Sequence, residues 1–171
     1  MNINSMLFAE VNLFSVSLLG MLLFWFRRGT DNSMSSRWYT IVLVSFILSF
    51  TFNAVWGLLR AFSPALSDHI SLQYFLKILF YVFLNIAVFA WTGYSETEMG
   101  NREFNDMEQM KVTFLPMLFM LVMVCTDSYT KVIFRIDSYG KYTKEELYQA
   151  QMALLVFYTG ITGIRMLAKA E

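Results

Sequence analysis

The chain has 171 residues, of which 57% are hydrophobic and 18% aromatic, and its charged fraction of 15% falls well below the roughly 25% of soluble domains. The 13 basic and 13 acidic residues cancel, so no global field recruits nucleic acid and any electrostatic partner must be met locally. The single cysteine, Cys125, excludes an internal disulfide and a multi-cysteine metal site, and it reads as a small buried hydrophobe in a Met-rich helix.

The apolar runs predict an all-α integral membrane protein of one domain with five transmembrane helices. The first span, about residues 6–26, is preceded by no Lys or Arg and ends against Arg27 and Arg28 in a loop that also holds Arg37. The positive-inside rule then puts the N-terminus outside and that loop in the cytoplasm. No cleaved signal peptide is expected, because the basic n-region is missing and the span is too long for an h-region. The second span, about 38–59, returns outward to Arg60, and Ser63, Pro64 and Ser67 mark a tight external turn before His69, the only histidine.

The third span, about 70–94, is the longest stretch with so little charge: between Ile70 and Tyr94 only Lys77 is ionisable to a cation, and Trp91 and Tyr94 lie at interface depth. The following loop is acidic and polar, and Ser95 with Glu98 has the spacing to cap a short surface helix. The fourth span, about 112–129, carries Pro116 in what reads as its first turns and Asp127 at its outer end.

Between the fourth and fifth spans, Val132, Phe134 and Ile136 alternate with Ile133, Arg135 and Asp137, and Ser138-Tyr139-Gly140 is a turn signal, which predicts a small external β-hairpin over about 131–142. Thr143 with Glu146 has capping-box spacing for the helix that forms the fifth span, about 150–168, which ends in the cytoplasm with Arg165 and Lys169. Gly160 and Gly163, with Thr159 and Thr162, give that helix a small-residue face suited to close packing inside the bundle, with a homodimer as the other use of such a face.

Polar groups inside hydrocarbon are costly, about 2.5–3.5 kcal/mol for a charge on insertion scales, so each one asks for a partner. Glu10 and Asn12 in the first span, Asn53 in the second and Lys77 in the third fall in one layer, about 10 Å below the outer helix ends. An outward-opening polar pocket lined by Glu10, Asn12, Asn53 and Lys77, with Asp127 and His69 near its mouth, is therefore the candidate binding site; Lys77 would attract a small anionic ligand from outside and the two asparagines would orient it. The alternative is structural: Lys77 snorkels along its helix or pairs with Glu10, and the asparagines join helices as hydrogen-bonding glue. No HExxH, CxxC, phosphate-binding glycine loop or nucleophile elbow occurs, so neither catalysis, a resident metal nor a cofactor is expected, and His69 reads as an ordinary surface residue.

Three stretches, SRWYTIVLVSFILSFTFNAVWGLL, YFLKILFYVFLNIAVFAWTGYSE and LPMLFMLVMVCTDSYTKVIFRIDSYGKYTK, resemble in order and separation the N-terminal multi-span sensor region found ahead of GGDEF diguanylate cyclase domains in bacterial signalling proteins. The resemblance covers about four fifths of the chain. It implies a sensory input module of the bacterial plasma membrane that relays an external or membrane cue to a cytoplasmic output domain or partner protein making cyclic di-GMP. Relatives continue into further spans and the catalytic domain, whereas this sequence stops at Glu171 and contains no GGDEF motif, so no catalytic position carries over. Many relatives have an acidic residue where Asn53 stands. A small transport or channel component and a non-catalytic assembly subunit remain the alternatives; in all three the lipid bilayer is the first partner.

Overall fold

A computed structural model describes residues 3–29, 33–62, 69–100, 107–137 and 141–170. Five helices carry the fold: α1 (Ile3–Gly29), α2 (Met34–Phe62), α3 (Ile70–Glu98), α4 (Met107–Thr130) and α5 (Glu146–Ala170), with a two-stranded antiparallel sheet, β1 (Phe134–Ile136) and β2 (Tyr142–Lys144), between the last two. Four of them, α1, α2, α3 and α5, are long and apolar enough to cross a membrane, and within α4 the stretch Phe114–Thr130 is a shorter apolar segment. Large apolar side chains cover the outside, Trp25, Met21, Val156 and Leu167 among them, which is the surface expected of helices solvated by lipid.

The centre of the bundle is the α2–α3 pair, with α1 packed on α2 and both α4 and α5 packed on α3. Close approach is set by small residues. A Cβ on Gly57 would lie 3.1 Å from both the Ala9 Cβ and the Phe8 ring, and one on Gly93 would meet the Trp38 ring at 2.8 Å. Gly57 therefore lets α1 lie against α2, and Gly93 lets the Trp38 indole lie flat against α3.

Helix ends follow local chemistry. Ser33 caps α2 by accepting the Ser36 N–H on its hydroxyl at 3.2 Å. At the other extreme α3 runs on through Ser95 to Glu98 and ends at Gly100, whose φ of +64° is the left-handed conformation a helix C-terminus favours, with its N–H donated to the Thr97 carbonyl. The expected cap of a separate surface helix by Ser95 and Glu98 is thus replaced by one long α3. Likewise α4 starts at Met107, so Pro116 lies in its third turn and not its first.

The hairpin is shifted toward α5 relative to its expected span, with Phe134 opposite Lys144, Arg135 opposite Thr143 and Ile136 opposite Tyr142. The cause is Asp127. Its Oδ1 accepts the N–H groups of Val132 and Ile133 at 2.9 and 2.8 Å, and its Oδ2 accepts that of Phe134 at 3.1 Å, so the residues after α4 wrap around the carboxylate before a strand can begin. Lys131 makes the turn possible with φ +52°. Thr143 sits in β2, its hydroxyl donating to the Arg135 carbonyl, and does not cap α5. Instead the Val132 and Ile133 carbonyls accept the N–H groups of Leu147 and Glu145, tying the start of α5 to the end of α4. The turn over Ser138, Tyr139 and Gly140, and that over Ser63, Pro64 and Ser67, lie outside the described residues.

Two expectations of burial are corrected. Cys125 is exposed, because α4 buries the stripe Met117, Met120, Val124 and Asp127 and turns Cys125 away from it. A Cβ added to Gly160 or Gly163 would meet nothing within 4 Å, so the glycines of α5 face away from the bundle while Thr162 alone of that group is buried against α3.

Candidate functional site

The chain of polar groups in the bundle begins on α1. Asn12 donates its amide to the Phe8 carbonyl one turn back at 2.7 Å and accepts the Asn53 amide on Oδ1 at 3.1 Å; Asn53 in turn accepts the Lys77 ammonium at 2.8 Å. Three helices are therefore joined by one relay, Asn12 from α1, Asn53 from α2 and Lys77 from α3, all of them buried. Each side chain satisfies the next, which is what makes such a network tolerable in a low-dielectric interior.

Lys77 is only 5% exposed, and among the described residues the one ion pair is that of Arg165 with Glu96 far along α3, so no carboxylate neutralises the Lys77 ammonium. Aromatic faces surround it instead. Its Nζ lies 3.5 Å from the centroid of the Trp56 ring, 5.1 Å from that of Tyr142, and 5.5 Å from those of Phe8 and Phe80. A desolvated cation over an aromatic face gains about 2 kcal/mol, so several such faces offset much of the cost of burial. The Arg60 guanidinium is also 4.8 Å from the Trp56 centroid, and the Trp56 Nε1, a buried donor, has no acceptor among the described residues.

The hairpin supplies the last wall. Phe134 is fully buried and stacks on Tyr74, Tyr81 and Tyr142 at centroid distances of 5.4, 5.5 and 5.6 Å. The Tyr81 and Tyr142 hydroxyls are 2.7 Å apart, and the Tyr74 hydroxyl accepts the Ile136 N–H at 3.0 Å. β2 therefore brings Tyr142 against both the Trp56 ring, at a centroid distance of 6.0 Å, and the Lys77 ammonium. Burial pushes the Tyr142 hydroxyl up to about 12, against the pull of its bond with Tyr81.

Of the residues singled out in sequence, Asn12, Asn53 and Lys77 come together. Glu10 does not: two positions before Asn12 on the same helix, it is turned about 200° away and is exposed. Asp127 is fully buried but lies in the last turn of α4, where it holds the backbone amides of three residues that follow the helix. His69 is exposed and precedes α3 without a side-chain cap bond. The cage walls were not singled out. Trp56 had a signal, since it follows Asn53 by three residues and so shares its face; Tyr142 had none, because only the tertiary fold brings the hairpin there.

Beyond the cage, buried polar residues continue down α3 at four-residue spacing, Gln73, Lys77, Tyr81 and Asn85, and resume with Thr92, Ser95 and Glu96. Between the two groups Val88 packs with Met117 of α4 and Leu155 of α5 in an apolar layer. At the far end α5 is fastened to α3 by the Trp91 Nε1–H donated to the Thr162 hydroxyl at 3.0 Å and by the Arg165–Glu96 ion pair. Comparison of the chain with protein-family models, with curated proteins and with solved structures finds no match.

Proposed function

We propose that this multi-pass membrane protein is a sensory input module in which the hairpin receives a cue outside the membrane and α5 conveys it to the cytoplasmic side. In this reading α4 completes a fifth span, the N-terminus and the hairpin are outside, and the C-terminal end of α5 is inside. Arg27, Arg28 and Arg37 at one end of the bundle, with Arg165 and Lys169 at the same end, support that orientation. The output is a cytoplasmic domain or partner; the resemblance to regions ahead of diguanylate cyclases points to a cyclase as the output and assigns no catalysis to these residues.

The observation that carries the reading is the double attachment of Tyr142. It is a wall of the Lys77 cage and a hydrogen-bond partner of Tyr81, and it sits on a strand that ends only two residues before α5 starts. A cue that favours the hairpin lifted from the cage moves the root of α5, whose 25 residues span about 37 Å. Only differential affinity for the seated and lifted states shifts that balance.

The test is a distance measurement between spin labels at Met99 and Ala168, with Cys125 replaced by Ser. Tyr142→Ala should broaden or displace the distance distribution at the far end, while Tyr142→Phe, which keeps the ring, should leave it close to the wild type. An unchanged distribution in Tyr142→Ala sinks the relay. The second reading is a transport path, favoured by the polar stripe along α3; the Val88, Met117 and Leu155 layer stands across it.

A further inference from the structure

A cleft of about 740 Å³ opens at the hairpin end between the first turns of α3 and the segment joining α4 to β1. It is separate from the Lys77 cage, and the chemistry of its walls differs from top to bottom.

The rim is cationic. Arg135, exposed between the buried Phe134 and Ile136 on β1, lines the cleft beside Ile136. Lys131, in the left-handed turn that closes α4, lines the same opening and is exposed. The start of α3 contributes the positive end of its dipole, with no side-chain cap from His69. Among the described residues one acid, Asp137, also lines the rim, held in place by accepting the Lys141 N–H at 2.8 Å.

The floor is apolar. Phe75, 56% exposed, and Ile78 follow one another on a single face of α3, so the cleft runs without a step into the apolar outer surface of that helix. Tyr129, 89% exposed, stands at its side, an amphipathic ring where the apolar helix gives way to the polar turn.

We propose that this cleft binds an anionic phospholipid, with the headgroup phosphate against Lys131 and Arg135 and an acyl chain along Phe75 and Ile78. A soluble anion would use the rim and gain nothing from the floor; a zwitterionic lipid would use the floor and gain less from the rim. The inference requires only that the chain is embedded in a bilayer and is independent of the sensory reading.

The experiment is native mass spectrometry of the full chain released from nanodiscs made with an equimolar mixture of phosphatidylcholine and phosphatidylglycerol. Phosphatidylglycerol should be retained in preference. The exposed double variant Lys131→Gln/Arg135→Gln should lower its retention about thirtyfold, at about 1 kcal/mol per cation near the surface. Asp137→Asn, which keeps the acceptor for Lys141 and removes a like charge, should raise it. Arg27→Gln/Arg28→Gln, at the opposite end of the bundle, should leave this preference in place. Equal retention of the two lipids, or a preference untouched by the Lys131/Arg135 variant, overturns the proposal. Full displacement by inorganic phosphate, with no effect of Phe75→Ser, overturns it in favour of a soluble anion.

Discussion

The Lys77 ammonium stands 3.5 Å from the centre of the Trp56 ring while donating to Asn53 at 2.8 Å, so one buried cation is held by an aromatic face and an amide without a carboxylate. That arrangement makes the amide indispensable to the cation but makes the pair together replaceable. Removing one partner of a buried polar pair strands the other, whereas replacing both with apolar groups of similar shape is often neutral or stabilising.

Accordingly, Asn53→Leu alone should destabilise the protein by about 2–3 kcal/mol, because Lys77 loses its acceptor and Asn12 its donor. Lys77→Met should cost less, because it strands a neutral amide oxygen of Asn53 and not a buried cation, and Asn53→Leu/Lys77→Met should recover most of the loss of the first variant. Thermal unfolding in one fixed detergent, followed by tryptophan fluorescence, measures all three. A double variant as unstable as Asn53→Leu would show that the cost lies in packing at position 53.

Asp127 should prove structural. Asp127→Ala removes the acceptor for three backbone N–H groups and should cost about 3 kcal/mol, while Asp127→Asn, which keeps one oxygen, should lose about half as much. Hydrogen exchange is the direct readout. The amides of Val132, Ile133 and Phe134 should lose protection together in the alanine variant, and protection that survives would place their acceptors elsewhere.

The Tyr142 hydroxyl gives the hairpin a limit at high pH. A free tyrosine ionises near 10, and burial lifts this one to about 12, so the folded state holds its proton more tightly than the unfolded chain does. Its contribution is whole below pH 10 and is lost as the pH rises toward 12. A difference ultraviolet titration of the wild type against Tyr142→Phe should isolate one phenol ionising at about 12 rather than near the 10 of a free tyrosine, and the variant should lose less stability over that interval. A difference spectrum with its midpoint near 10 would place the hydroxyl in water.

Sequence alone exposed Asn12, Asn53 and Lys77 because a polar residue inside an apolar run is conspicuous and its depth follows from counting. Facing was a harder matter. Glu10 has the depth of the cluster but sits about 200° around α1 from Asn12, and in a helix apolar on all sides no periodicity marks the inner face. The same ambiguity turned Cys125 and the α5 glycines the wrong way. The hairpin was visible from its alternation, yet its register was not, since it depends on a carboxylate in α4 gathering three amides from the residues that follow. The ends of α3 and α4 moved for a related reason: polar residues such as Ser95 and Glu96 read as loop until Arg165 of α5 supplies a partner for the acid.

The order of the cage walls along the chain has a consequence for biogenesis. Phe8, Trp56 and Phe80 are all made before α4 exists, whereas Tyr142 belongs to the last third of the sequence. If the first three helices pack in a nascent chain as they do in the finished fold, Lys77 meets Asn53 there while the Tyr142 side of its cage is unfilled. Sealing waits for the ribosome to deliver the hairpin, and because α5 follows β2 directly, insertion of the final helix and closure over the lysine are one event.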